Sequence, residues 1–176
     1  NKYLETADWE KLGRYISMIY TRFGDIDRLK GYYNLALEDY FKALELAERD
    51  KDSSQMAMVL NRISWNYYEM EELDLALDYY RENIRVTQPM KNLNYLTNCY
   101  GNMGNIFRDW EHYDSSFYYY NKSIEISREI DDYFNLAWVY EDLSKLYAKQ
   151  GDYKQAYEAF MLHSRYNDTM ITDEYR

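Results

Sequence analysis

Four columns of residues recur every 40 positions along this 176-residue chain, and they constrain its fold more than any other feature. Ala36, Ala76, Ser116 and Ala156 form one column, and Tyr40, Tyr80, Tyr120 and Phe160 form the next. Phe23, Ile63, Met103 and Leu143 form a third, each followed by a small residue: Gly24, Ser64, Gly104 and Ser144. A fourth runs Leu46, Val86, Ile126 and Tyr166. Small residues beside large ones at a fixed period are what stacked helical hairpins require, because close helix crossings need a missing side chain opposite a bulky one. The columns predict an all-α chain of four antiparallel helix pairs.

Within one period the helical phase is explicit. Ala137, Tyr140, Leu143, Ser144 and Tyr147 follow the stripe of an amphipathic helix. Lys149-Gln150-Gly151-Asp152 breaks it, with Gly151 free to turn left-handed and Asp152 placed to cap the next helix. That helix carries Tyr153, Ala156, Tyr157 and Phe160 on one side. The first period fits least well: Asp27 stands where Tyr67, Phe107 and Tyr147 stand later. This predicts a first helix starting near Asp8 and an irregular stretch over Gly24–Gly31, as befits an end repeat with one face in solvent.

This pattern resembles the tetratricopeptide repeat: a large residue, a Leu-Gly-like pair and Tyr in the first helix, then Ala, an aromatic and a small residue in the second. Residues 137–167 match best, through the Gly-Asp-Tyr at the turn. Residues 97–127 and 57–87 put Glu111 and Glu71 where the turn glycine usually stands. The resemblance implies an α-α superhelix, a solenoid forming one domain over 1–176. Its repeat units are expected at 9–50, 54–88, 94–129 and 134–168, with 169–176 starting a further or capping helix. The chain reads as a piece of a larger protein.

Twenty-one basic against 31 acidic residues give a formal charge of −10, which disfavours a nucleic-acid or anionic membrane partner. No apolar run approaches the roughly 20 residues that span a bilayer. Tyrosines number 23, and their fixed phase marks most as packing residues with the hydroxyl at the wet edge. His112 is expected in a solvated turn and His163 near a helix end. Cys99 falls in the apolar column of Ile19, Val59 and Val139, as a small buried hydrophobe. No phosphate loop, metal-ligand spacing or nucleophile-base arrangement stands out, so the expectation is a non-enzyme without cofactors.

The resemblance further implies that first helices line a groove. It carries onto this chain the rows Met18, Met58, Asn98 and Trp138, then Thr21, Asn61, Gly101 and Glu141. Asp25, Trp65, Asn105 and Lys145 follow, then Arg28, Tyr68, Arg108 and Ala148. The partner-binding candidates are Asn61, Trp65, Tyr68, Asn98, Asn102, Asn105, Arg108, Trp138, Glu141 and Lys145. Amides suit the backbone of an extended peptide, Arg108 a carboxylate, and exposed tryptophan an anchor pocket. Equally, both tryptophans fill gaps between neighbouring first helices.

The resulting expectation is a protein- or peptide-binding module for a basic or apolar partner. In style it is similar to the repeat regions of bacterial sensor kinases and transcriptional regulators. Self-association through the repeat ends, as a homodimer, and small-ligand sensing are the alternatives. The compartment stays open between cytoplasm and, for a sensor ectodomain, periplasm.

Overall fold

The computed structural model describes residues 2–174, and side chains over 12–170. Among the described residues eight helices follow one another: α1 (Lys2–Leu29), α2 (Tyr33–Arg49), α3 (Ser53–Glu69), α4 (Leu73–Thr87), α5 (Leu93–Asp109), α6 (Tyr113–Glu129), α7 (Tyr133–Lys149) and α8 (Tyr153–Glu174). There is no strand among the described residues. The chain divides into two compact units, Asn1–Lys91 and Asn92–Arg176, each holding two helical hairpins. In the first, α3 packs on both α1 and α2; in the second, α7 packs on both α5 and α6. First helices thus lie beside each other within each unit.

The columns explain the packing. Ala36, Tyr40, Val59 and Ile63 are fully buried, and together with Leu37 and Ala43 they form the core of the first unit. Tyr120, Ile124, Leu136, Val139, Tyr140, Leu143, Leu146 and Ala159 form that of the second. A Cβ on Gly24 would lie 2.5 Å from the Tyr40 ring, and one on Gly104 2.5 Å from the Tyr120 ring. The small column therefore makes room for the aromatic one. A second tie recurs 26 residues apart. Asn83 and Ser123 donate to the carbonyls of Ala57 and Thr97 at 2.9 Å, and His163 Nδ1 sits 2.9 Å from that of Ala137. In the first hairpin the direction reverses, Ser17 donating to the Ala43 carbonyl at 2.8 Å.

Each turn closes with a residue at positive φ: Gly31, Lys51, Glu71, Lys91, Glu111, Asp131 and Gly151. In the turn after α5, the Glu111 amide reaches the Arg108 carbonyl and the His112 amide reaches that of Phe107. This paired ending satisfies carbonyls the helix itself leaves free. Asp52, Asp132 and Asp152 then cap the following helices through the amides of Gln55, Asn135 and Gln155.

Several expectations need correction. α1 starts at Lys2, not near Asp8, and runs unbroken through Gly24 to Leu29; only the turn at Gly31 interrupts it. Asp27 escapes burial among apolar neighbours by lying half-exposed, 3.6 Å from Lys30. Residues 169–174 continue α8 rather than starting a new helix. His163 is accordingly interior to α8 and tied to Ala137, because its position is that of Asn83 and Ser123. Phe23 and Phe160 are 53% and 52% exposed although their columns are otherwise buried. In the interior of each unit a second helix covers the stripe of the next first helix. No helix precedes α1 among the described residues, and none follows α8.

Candidate functional site

In the second unit, α5 and α7 carry a continuous polar face. Asn105 is buried and its Oδ1 accepts from the Tyr120 hydroxyl and from Arg108 Nη1, the latter at 3.2 Å. Arg108 also reaches Asp142 Oδ1 at 3.0 Å and Asp109 at 2.9 Å. Burial works against the Arg108 charge, but Tyr120, Asp109 and Asp142 outweigh it and hold the guanidinium above its ordinary value. Asp142 is 6% exposed, and burial raises its carboxyl despite Arg108 and Lys145. Lys145 bridges Glu141 at 2.7 Å and Asp142 at 3.8 Å, and its hydrogen bond holds the Glu141 carboxyl below its usual range.

Asn98 is partly exposed and donates to the Asn94 carbonyl one turn back at 3.1 Å. Asn102 is 8% exposed, and its amide forms no hydrogen bond among the described residues. Trp138 lies over Gly101, whose missing Cβ would come within 2.6 Å of the ring. The ring also packs against the core of its unit, so Trp138 fills the gap between α5 and α7.

The first unit repeats this design with the charges exchanged. Tyr40 donates to Asp25 at 2.9 Å, and Arg62 Nε lies 3.1 Å from the same carboxylate. Adding 80 to Asp25, Arg28, Tyr40 and Arg62 gives Asn105, Arg108, Tyr120 and Asp142. An α1 acid facing an α3 arginine thus becomes an α5 arginine facing an α7 acid. Arg28 grips both Glu69 oxygens at 2.8 Å, and Glu69 Oε1 also accepts the Trp65 indole N–H at 2.9 Å. Burial opposes the Arg28 charge, but Glu69 more than compensates and raises its guanidinium. Trp65 rests on Tyr68, with ring centroids 5.1 Å apart. Asn61 is half-buried and makes no hydrogen bond among the described residues.

Asn61, Trp65 and Tyr68 therefore share the α3 surface, while Asn98, Asn102, Asn105, Arg108, Trp138, Glu141 and Lys145 share α5 and α7. Thr21 does not line an open row: it is buried, donating to the Ser17 carbonyl and receiving Gln55. Sequence reasoning missed Arg62, Glu69 and Asp142, the partners that fix these side chains. The 80-residue comparison links Arg62 to Asp142 and carries no signal for Glu69.

Chemical vocabulary is sparse elsewhere. Cys99 is fully buried, and burial pushes its thiol up to about 12. Among the described residues no group of histidine, cysteine or acidic side chains is arranged to hold a metal ion, and no helix is long and apolar enough to cross a membrane.

Comparison with known proteins agrees with the repeat geometry. The family model of the tetratricopeptide repeat matches residues 15–88 and 94–161. The solved structure of BtubC from P. vanneervenii is similar at a TM-score of 0.80 and 18% identity, over 96% of this chain and 68% of that one. MamA is similar at a TM-score of 0.64 and 16% identity, over 89% and 81%. A Rap protein complexed with competence and sporulation factor gives 0.76 and 18%, over 89% of this chain but 44% of that one. No curated protein sequence matches significantly. With paired helices in phase and the model matching most of its length, the chain belongs to the tetratricopeptide repeat family.

Proposed function

We propose that the chain is a non-catalytic interaction module that binds a peptide or protein partner on the faces presented by its first helices. The observation that carries this reading is Asn102, a residue only 8% exposed whose amide makes no hydrogen bond among the described residues. Its polar atoms are not among the enclosed ones, so water reaches them and a ligand's backbone can take the water's place. Asn105 and Arg108 flank it one and two turns on, already fixed by Tyr120 and Asp142. Pre-fixed polar groups lose little entropy on binding. The Rap protein complexed with its factor is another chain of this fold that holds a partner, and it supports a regulatory role within a larger bacterial signalling protein.

The test is peptide display on the folded chain, followed by comparison with an Asn61→Ala/Asn102→Ala variant. Neither amide holds the fold together, so helical circular dichroism and melting temperature should stay unchanged while selected peptides lose affinity. Peptides binding both proteins equally would move the site off the first helices, and absence of any binder would sink the module reading.

Stacking through the repeat ends is a second reading, favoured by the exposed stripe of Ile19, Phe23 and Ile26 on α1. Sedimentation decides it: a single monomeric species at every concentration eliminates it.

A further inference from the structure

One place on the first unit carries positive charge within a chain whose formal charge is −10. Between α1 and α3 lies a pocket of about 330 Å³ lined by Arg22, Asp25, Ile26, Arg28, Leu29 and Arg62. Three guanidiniums share it with a single carboxylate. Arg28 is already committed to Glu69. Asp25 is divided among the Tyr40 hydroxyl, Arg22 at 3.5 Å and Arg62 at 3.1 Å. The Arg62 contact has the distance of an ion pair without the alignment of a hydrogen bond, since Nε is enclosed and has no hydrogen-bond acceptor. Among the described residues its two terminal nitrogens make no hydrogen bond. Arg22 is 73% exposed along its side chain. Two guanidinium forks thus face the pocket with most of their donors unused, and a carboxylate is the planar acceptor that fits such a fork.

We infer that this pocket seats the carboxylate of an aspartate or glutamate side chain from a peptide partner, held between Arg22 and Arg62. The exposed Ile26 and Leu29 form its apolar wall and take the residue beside the acid. The inference rests on the first-helix faces being peptide-binding, and names the chemistry the first unit selects. It also revises the expectation of a basic or apolar partner, which followed from the chain's acidic and aromatic content. In the second unit the positions of Arg22 and Arg62 hold Asn102 and Asp142, so the preference belongs to the first.

The test is fluorescence anisotropy of the full chain with a short labelled peptide alternating glutamate and leucine, against its glutamine counterpart. The glutamate peptide should bind about tenfold more tightly at low salt, the worth of one charge-assisted hydrogen bond. The advantage should shrink as salt is added. It runs against the chain's net charge, so bulk attraction does not produce it. Arg62→Gln should abolish it and Arg62→Lys retain part of it, while Arg81→Gln, on an exposed arginine of α4 paired with Asp78, leaves it intact. Circular dichroism of each variant confirms folding. Equal affinity for both peptides would overturn the anion site while leaving the module reading standing. An advantage that survives Arg62→Gln and Arg22→Gln would also overturn it. Failure of both peptides to bind counts against the site, and display then shows whether the module reading falls with it.

Discussion

At Gly104 the space a Cβ would occupy is already taken by the Tyr120 ring, and the Ser116 hydroxyl closes on the Gly104 carbonyl at 2.8 Å. Gly104→Ala should therefore lower stability by about 1–3 kcal/mol through overpacking, partly offset by alanine's better helix propensity. Urea unfolding measures it, and an unchanged midpoint would mean that the ring yields. Cys99 offers a second test at this scale. Enclosed, with its thiol raised by burial, it should resist alkylation in the native protein and react once denatured. Fast labelling without denaturant would contradict its placement. The small column was legible from sequence because its period is unambiguous, but not that it accommodates tyrosine rings. Arg108 and Asn105 were legible as polar residues on a first helix. Asp142 was not, because beside Glu141 it reads as one more acid in an acidic chain. Only its burial and its reach to Arg108 give it a role.

Helices and turns show the same division between what pattern reveals and what it hides. The stripes located every helix, yet Asp27 misled the reading of α1. A charge out of column suggested a break, whereas the helix runs on with Asp27 half-exposed beside Lys30. The turns are more demanding than the sequence suggests. Five of the seven positive-φ positions hold lysine, glutamate or aspartate, each bearing the crowding of Cβ against the backbone. Glu71→Gly should therefore stabilise the chain by about 0.5–1 kcal/mol, the relief of that crowding exceeding glycine's extra entropy loss. Thermal melting would show it, and a lowered midpoint would mean that Glu71 contributes something beyond its backbone shape.

Across the whole molecule, tyrosine couples the packing to pH. Burial is the first cause raising Tyr40, Tyr67, Tyr79, Tyr120, Tyr140 and Tyr147 above the ordinary value of 10.0. The folded state holds these protons more tightly than the unfolded state does. Stability from this source is fully present below about pH 10 and is lost as pH rises toward the folded values. Alkaline titration should thus unfold the chain cooperatively, phenolate absorbance rising together with loss of helical signal. Phenolate appearing well before the helices melt would contradict it.

The turns mark the chain at residues 31, 51, 71, 91, 111, 131 and 151, a spacing of 20 that never slips. Such a chain has something like a reading frame. Excising or duplicating a stretch of 40 residues restores every small residue to its ring and every turn to its phase, so recombination between repeats would yield working variants. Losing one residue inside a helix rotates everything beyond it by about 100°, and the faces would then point the wrong way. The lineage of such a chain should be rich in whole-module gains and losses and poor in single-codon ones.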